Sequence, residues 1–175
     1  MSLFDRLAAI RSRGSQTTKA KNLGGLHEKR REHLSQFFTP SWLVDYAYGC
    51  LEGAMVEGER YRLLDNSCGA GVWFSNASPE QHQLVGVDID ETLISQVQEV
   101  LDDSGFTIAL EAGSMAEAVL PQCSAAFINP PFSIQLESPN LSPCKGVTHY
   151  GKFGPNSSAI SHEYALVQAL DHADI

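Results

Sequence analysis

The residues with the clearest chemical potential are Asn129, Pro130, Pro131 and Phe132, which follow the short apolar run 125–128. Consecutive prolines are poor strand formers, so they predict a rigid, kinked loop with exposed carbonyl groups. The Asn129 carboxamide and the Pro130 carbonyl offer two acceptors to one amino group and can turn its lone pair towards an electrophilic methyl group. An aromatic ring at Phe132 can stack on a base that has left its duplex. The alternative for an isolated tetrapeptide of this kind is an ordinary turn.

A glycine-rich turn, Asp65 to Gly71, lies upstream and follows another apolar run. Gly69 and Gly71 let the backbone approach a ligand closely, and the helix expected after them offers N–H groups. The turn does not match the dinucleotide fingerprint, because Phe74 stands where the third glycine belongs. It also lacks the Lys-Ser/Thr pair of a phosphate-binding loop, so the ligand need not carry phosphate. The alternative is an ordinary tight turn between a strand and a helix.

Asp88 follows about twenty residues later, at the end of a further apolar run. A carboxylate in that place can accept hydrogen bonds from both ribose hydroxyls of a cofactor that contains adenosine. The alternative role, a helix cap, suits Asp90 better. Together with the glycine-rich turn, Asp88 favours a nucleoside cofactor.

Short apolar runs alternate with segments of helical period, and these elements must position the three loops. The expected strands are 61–65, 84–88, 106–110 and 125–128. The expected helices are 26–35, one from Ser41 as its cap, one from near Val72, 91–103, 115–120 and 162–172. Repeats of this length predict an α/β fold, a parallel sheet of about four strands flanked by helices. Ligands bind such sheets at the carboxyl ends of the strands, where all three loops lie.

Two segments are expected to be irregular. Residues 14–25 are rich in Gly, Ser, Thr, Asn and Lys and predict a linker after a short amphipathic start. The chain is therefore divided into a flexible basic leader, 1–25, and a partial catalytic domain, 26–175. Residues 133–158, rich in Pro, Ser, Gly and Asn, predict a mobile loop beside Asn129.

Charge is unevenly distributed along the 175 residues. The net charge is −9, yet the chain up to His33 carries eight basic residues against three acidic ones. A basic leader on an acidic body favours an arm that touches phosphate, and a solvated leader is the equal alternative. No apolar run reaches the roughly 18 residues of a membrane span, and no secretory signal opens the chain. We therefore expect a cytoplasmic protein that does not interact with membranes.

Cysteines and histidines give no indication of a metal site. The four cysteines, Cys50, Cys68, Cys123 and Cys144, have no C-x-x-C spacing and predict reduced thiols, each buried as a small apolar residue. The six histidines have no spacing typical of metal ligands, and no role is assigned to them.

In order and spacing, these motifs resemble those of S-adenosylmethionine-dependent amino-methyltransferases. The resemblance is strongest to N6-adenine DNA methyltransferases of the gamma arrangement, such as the modification subunits of restriction systems, and covers residues 35–132. Gln36 to Pro40 resembles the motif that borders the cofactor, and Asp65 to Gly71 resembles the loop under its methionine end. Asp88 and Ile89 resemble the residues that contact its ribose and its adenine.

The resemblance implies S-adenosylmethionine as the cofactor and no metal. It assigns catalysis to Asn129, Pro130, Pro131 and Phe132, with Asn129 and the Pro130 carbonyl holding the target amine and Phe132 stacking on the flipped base. The residues that would contact the cofactor are Phe37, Phe38, Thr39, Pro40, Asp65, Ser67, Gly69, Gly71, Asp88, Ile89, Ser114 and Asn129. Ser114 departs from the family, which often has an acid at that place.

We therefore expect transfer of a methyl group from S-adenosylmethionine to adenine N6 in DNA, in a prokaryotic, phage or plasmid setting. The family's sheet has seven strands and is joined to a target-recognition region, so this sequence is interpreted as part of a larger enzyme. The expected partners are DNA and a target-recognition subunit or the remaining part of the enzyme. Two alternatives stay open: an RNA or protein-glutamine methyltransferase, and a non-catalytic module that binds cofactor or DNA or docks a partner.

Overall fold

The computed structural model describes residues 1–16, 39–56, 58–130, 135–136 and 159–173. The helices are α1 (Leu3–Gln16), α2 (Ser41–Glu52), α3 (Glu91–Asp102) and α4 (Ser161–His172), with a 3₁₀ helix at Val72–Asn76. The strands are β1 (Tyr61–Asp65), β2 (His82–Asp88), β3 (Thr107–Ala112), β4 (Ala125–Ala126), β5 (Gln135–Leu136) and β6 (Ala159–Ile160). None of the helices in these ranges is long and apolar enough to cross a membrane.

Four strands form one parallel sheet in the order β3-β2-β1-β4, while β5 and β6 form a separate antiparallel pair. β1 pairs with β2 along its whole length, and on its other side Leu63 and Leu64 pair with β4. The order of the strands reverses between β1 and β4, which is the point where sheets of this kind bind ligands. The predicted α/β fold, a parallel sheet of four strands flanked by helices, is confirmed.

The core on one face of the sheet joins β1 to α1, α3 and the 3₁₀ helix. It is built from buried side chains, and Leu7, Leu63, Phe74, Val97 and Leu101 among them are completely buried. The apolar positions of α3 recur at the predicted helical period, so this face of the helix lies on the sheet. A fully buried side chain of this size contributes about 1.5–3 kcal/mol, which makes this cluster the main support of the strands that carry the site.

The first helix lies against this core. Arg6 donates to the Ser104 hydroxyl at 2.8 Å and pairs with Asp103 at 3.1 Å, so the start of the chain is bound to the end of α3. α1 continues to Gln16 and thus extends into the segment 14–25 that was expected to be a linker. The expected end of the leader lies outside the described residues, so that boundary stays a prediction.

The outer edge of β4 is partly covered by the chain that follows α4. The Cys123 N–H donates to the His172 carbonyl at 2.7 Å, and Cys123 forms a parallel bridge with Ala173. Because the next N–H, that of Ser124, donates to the Arg62 carbonyl of β1 instead, the two contacts lie on opposite sides of the strand. The chain therefore has a partner on this side just before β4 begins.

Most predicted elements are present with shifted ends. β1 has the predicted bounds 61–65, and α3 and α4 differ from prediction by a single residue at one end. β2 begins earlier than predicted, β3 is displaced towards Ala112, and β4 is limited to Ala125–Ala126. β5 lies in the segment expected to be a loop, and the helix expected at 26–35 lies outside the described residues.

Two local predictions are wrong, and a third is confirmed with a different helix type. The N-cap of α2 is Pro40 rather than Ser41, because the Pro40 carbonyl accepts the first N–H groups of the helix. The helix expected near Val72 is present and begins at that residue, as a short 3₁₀ helix. Residues 115–117 form a turn and 118–120 are irregular, where a helix was expected, because the Met115 carbonyl accepts a hydrogen bond from Gln168 at 2.7 Å in place of one from the next helical turn.

The described cysteines fall into two groups. Cys68 and Cys123 are buried as small apolar residues, as predicted, whereas the prediction is wrong for Cys50, which is exposed on α2. Cys144 lies outside the described residues. All three described cysteines are free thiols.

Candidate active site

The loop after β1 wraps closely around the end of β2. The Cys68 N–H donates to the Val87 carbonyl at 2.9 Å, and Gly69 and Gly71 have positive φ angles of 52° and 70°. A Cβ atom at Gly71 would lie 2.8 Å from Val97 Cγ1, so the loop packs directly on α3. Both the left-handed conformation and the lack of space require glycine at this position.

Asp88, at the end of β2, holds the glycine loop in place. Its Oδ2 accepts a hydrogen bond from the Gly69 N–H at 2.7 Å, and its Oδ1 accepts one from the Asp90 N–H at 2.8 Å. The cap of α3 is Asp90, as predicted, because its side chain accepts from the Thr92 N–H at 3.2 Å. Each carboxylate oxygen has more than one lone pair, so the fixed Asp88 carboxylate can also accept hydrogen bonds from a ligand.

Two desolvated carboxylates flank the glycine loop. Burial, reinforced by the negative charge of Asp88, raises the pKa of Asp65 to about 8, although the Ser67 N–H at 3.1 Å opposes the shift. Burial also raises the pKa of Asp88. Among the described residues, the buried Oδ2 of Asp65 has no hydrogen-bond partner. This site favours a ligand with positive charge, because a nearby cation stabilises the ionised form of both carboxylates.

The loop after β4 brings Asn129 to Thr39. Asn129 Nδ2 donates to Thr39 Oγ1 at 3.1 Å, although the two residues are 90 positions apart. The start of this loop is fixed on β1, because the Phe127 N–H donates to the Leu64 carbonyl at 2.8 Å. Thr39 is buried, and Pro40 directly after it caps α2. The two segments that the resemblance assigns to the cofactor border and to catalysis are therefore in contact.

Three aromatic side chains support the start of this loop. Phe127 stacks with Trp73 and with Tyr48, at centroid distances of 5.1 Å and 5.0 Å. The Tyr48 hydroxyl donates to the Trp73 carbonyl at 2.9 Å, which ties α2 to the 3₁₀ helix. No local sequence pattern predicts this group, because its members come from three separate elements.

The turn after β3 completes this edge of the sheet. The Gly113 N–H donates to the Asp88 carbonyl at 2.9 Å, which places the turn beside the end of β2. The Ser114 hydroxyl accepts from the Ala116 N–H at 3.2 Å and so helps to close the turn. The Ile89 side chain is 62% exposed, which leaves an apolar surface beside Asp88 for the base of a ligand.

Asn66 is a further residue that the sequence analysis missed. It lies inside the glycine loop between Asp65 and Ser67, yet its side chain is buried and bonded to α4. An asparagine within the predicted ligand loop is only a weak sequence signal, because no nearby residue indicates that its side chain is buried against a distant partner.

The predicted site residues that the structure describes lie on the loops at the carboxyl ends of the strands or on the chain bonded to them. They are Thr39, Pro40, Asp65, Ser67, Gly69, Gly71, Asp88, Ile89, Ser114, Asn129 and Pro130. Phe37, Phe38, Pro131 and Phe132 lie outside the described residues, so their roles stay predictions. Within the described part of the chain, no cluster of His, Cys, Asp and Glu could hold a metal ion.

Solved structures with a similar fold are described as methyltransferases. A Listeria monocytogenes protein described as a class I S-adenosylmethionine-dependent methyltransferase gives a TM-score of 0.63 at 15% identity, over 81% of this chain and 44% of that one. A Pyrococcus horikoshii protein described as an RNA methyltransferase gives 0.51 at 19% identity, over 81% of this chain and 60% of that one.

The chain has the class I methyltransferase fold. It spans 44% and 60% of the lengths of these two structures, and at such low identity the likeness concerns the fold alone. No protein-family model and no curated protein matches the sequence.

Proposed function

We propose that this chain supplies the cofactor-binding and catalytic part of a methyltransferase that transfers a methyl group from S-adenosylmethionine to adenine N6 in DNA. The observation that carries the proposal is the hydrogen bond of 3.1 Å from Asn129 Nδ2 to Thr39 Oγ1. It joins the Asn-Pro-Pro loop to the Thr-Pro segment at the sheet edge where Asp65 and Asp88 lie. A carboxamide held by its donor end presents its oxygen as an acceptor for a target amine.

The charge and shape of the site fit S-adenosylmethionine. The sulfonium and ammonium groups of this cofactor are cations, and the loop that would bind them is flanked by the desolvated Asp65 and Asp88 carboxylates. Asp88 is fixed by two backbone N–H groups and can accept hydrogen bonds from the ribose hydroxyls. The exposed Ile89 lies beside it and can contact the adenine. When bound, the cofactor supplies an electrophilic methyl group.

The role of the chain in catalysis is to position and polarise the amine. Asn129 and the Pro130 carbonyl would each accept a hydrogen bond from the amino group, which turns the nitrogen lone pair away from the ring and towards the methyl group. The hydrogen bond to Thr39 keeps the Asn129 carboxamide from rotating while it does so. Such pre-arranged orientation is a large source of rate enhancement, and it needs no general base with a shifted pKa.

DNA is proposed as the substrate because Gln36 to Pro40 resembles the cofactor motif of DNA adenine methyltransferases. The basic residues of the first thirty or so positions suit contacts with phosphate. Choice of a target sequence is proposed for a partner subunit or a further part of the enzyme. The cytoplasm of a prokaryote, or a phage or plasmid setting, is the proposed context.

Transfer of a labelled methyl group tests this function directly. The protein, purified with any subunit that it binds, is incubated with labelled S-adenosylmethionine and with unmethylated DNA, RNA or protein as separate acceptors. We expect label in DNA, recovered as N6-methyladenine after digestion to nucleosides. Label in RNA or protein alone would be consistent with a methyltransferase but would refute DNA as its substrate.

The variant Asn129→Ala should lower the transfer rate by about 100-fold or more, which is the usual effect of losing one aligned polar group at a reacting atom. Its affinity for the cofactor should change by no more than about threefold, because Asn129 acts mainly on the amine. Asn76→Ala is the matched control, since Asn76 is exposed and its side chain bonds only to its neighbour Ser75 and to Asp45, away from the candidate site. Cofactor binding by the wild type without transfer to any acceptor would favour a non-catalytic module instead.

A further inference from the structure

Two buried carboxamides connect α4 to the loops on either side of the candidate cofactor site. Asn66 Nδ2 donates to the Ala165 carbonyl at 3.0 Å and to Gln168 Oε1 at 2.9 Å. Gln168 Nε2 in turn donates to the Met115 carbonyl at 2.7 Å. Asn66 and Gln168 are 1% and 4% exposed, so these hydrogen bonds form out of contact with solvent.

The chemistry of these bonds fixes the orientation of both side chains. A rotated Asn66 carboxamide would bring its oxygen against two acceptors, the Ala165 carbonyl and Gln168 Oε1. A rotated Gln168 carboxamide would bring its oxygen against the Met115 carbonyl. Each rotation replaces hydrogen bonds by repulsion between buried oxygens, so only one arrangement is stable.

The ends of this chain of hydrogen bonds lie beside predicted cofactor contacts. Asn66 stands between Asp65 and Ser67 in the glycine loop, and Met115 follows Ser114 in the turn after β3. These two loops follow strands that are not neighbours, because β2 lies between β1 and β3. Gln168 therefore joins two separate loops of the site through one side chain.

We infer that Gln168 is a positioning residue, which fixes the glycine loop and the turn after β3 at one spacing and thereby sets the affinity for the cofactor. The inference rests on the proposed function for the identity of that cofactor. A ligand that contacts both loops binds best when neither has to move. Without the Gln168 amide, the buried Met115 carbonyl and one Asn66 N–H lose their partners, and the two loops lose their connection.

The test compares Gln168→Met, which keeps the length and approximate volume of the side chain, with Leu170→Ala. Leu170 lies on the same helix and is 71% exposed, so its truncation controls for a change in α4 that leaves the buried bonds intact. The first readout is the dissociation constant for S-adenosylmethionine, measured by calorimetry. The second is the rate at which a thiol reagent modifies Cys68, which is buried in the glycine loop, located by mass spectrometry.

We expect Gln168→Met, which removes both hydrogen bonds of the Gln168 amide, to weaken cofactor binding at least about tenfold and to speed Cys68 modification by a similar factor. Leu170→Ala should change neither. Asn66→Ser removes the same connection from its other end and replaces Gln168→Met if that variant does not fold. In the double variant the effects on cofactor binding should be smaller than the sum of the single ones, because the two residues act through one bond.

A lower melting temperature of Gln168→Met, with unchanged affinity and unchanged Cys68 protection, would overturn the inference and leave a merely structural role. Absence of cofactor binding by the wild type would refute the proposed function instead. In that case Cys68 modification still decides whether Gln168 positions the loop. Faster modification in Gln168→Met would support that role, and an unchanged rate would overturn it.

Discussion

Replacement of Gly71 by alanine measures how tightly the glycine loop is packed. Gly71 has a φ of 70°, and a Cβ atom there would lie 2.8 Å from Val97 Cγ1 and 3.5 Å from Leu7 Cδ2. The left-handed conformation costs a residue with a side chain about 1–2 kcal/mol. A methyl group forced into a packed core costs about 1–3 kcal/mol more. We expect Gly71→Ala to lower the free energy of unfolding by about 2–5 kcal/mol.

Gly58 separates the two contributions. Its φ is 85°, but no atom lies within 4 Å of a Cβ built at that position. Gly58→Ala should therefore lower the free energy of unfolding only by the cost of the left-handed conformation, about 1–2 kcal/mol. The difference between the two variants, about 1–3 kcal/mol, is the cost of displacing the contacts on Val97.

Urea denaturation followed by tryptophan fluorescence gives both free energies, provided that the slope of the transition is the same in the two variants. A third variant, Gly49→Ala, controls for the general effect of alanine, because Gly49 lies in α2 and no atom lies within 4 Å of a Cβ built there. The free energy of unfolding of this variant should rise by about 0.5–1 kcal/mol. Equal losses in Gly71→Ala and Gly58→Ala would refute close packing of the loop on α3.

Two further predictions concern the carboxylate and the strand beneath the loop. The pKa of Asp65 is raised from 3.8 to about 8, so the folded protein keeps a proton that the unfolded chain releases, and stability is lost as the pH rises between these values. Urea denaturation at pH 5 and at pH 8 gives the free energy of unfolding at each pH. Between these two pH values the wild type should lose more unfolding free energy than Asp65→Asn, by up to about 1.4 kcal/mol for each pH unit. Equal losses in the two proteins would contradict the raised pKa of Asp65. Gly86→Ala would place a Cβ atom 2.8 Å from Leu110 Cδ2 and 3.0 Å from Cys68 Sγ. In the same assay it should lower the free energy of unfolding by about 1–3 kcal/mol. A stability equal to that of the wild type would show that there is free space beside Gly86.

The elements that the sequence predicted well are those set by local pattern. β1 is a short segment with Leu63 and Leu64 at its centre and an acid, Asp65, at its end, and its bounds 61–65 match the prediction. α3 has apolar residues at helical spacing and a capping Asp90, and both signals are confirmed. The parallel order of the sheet was predicted from the alternation of such segments, because neighbouring parallel strands need long crossover connections, whereas antiparallel neighbours can be joined by short hairpins.

The features that the sequence did not predict depend on contacts between distant residues. The helical pattern at 115–120 is overridden because the Met115 carbonyl bonds to Gln168, 53 positions away. The stack of Tyr48, Trp73 and Phe127 joins three elements that no period links. The predicted contact residues were chosen by motif, so residues that support the motif from behind, such as Asn66, were not found.

The central claim is that this chain binds S-adenosylmethionine through the loops after β1 and β2, and calorimetric titration tests it most directly. The titration compares the wild type with Asp88→Ala and with Asp102→Ala, an exposed acid at the end of α3 that serves as control. We expect the wild type to bind one cofactor per chain. Asp88→Ala should bind it at least about tenfold more weakly, because the hydrogen bonds of Asp88 to the ligand and to the Gly69 N–H are lost. Asp102→Ala should bind it with unchanged affinity. Absence of binding by the wild type, or equal affinity in Asp88→Ala, would contradict the account.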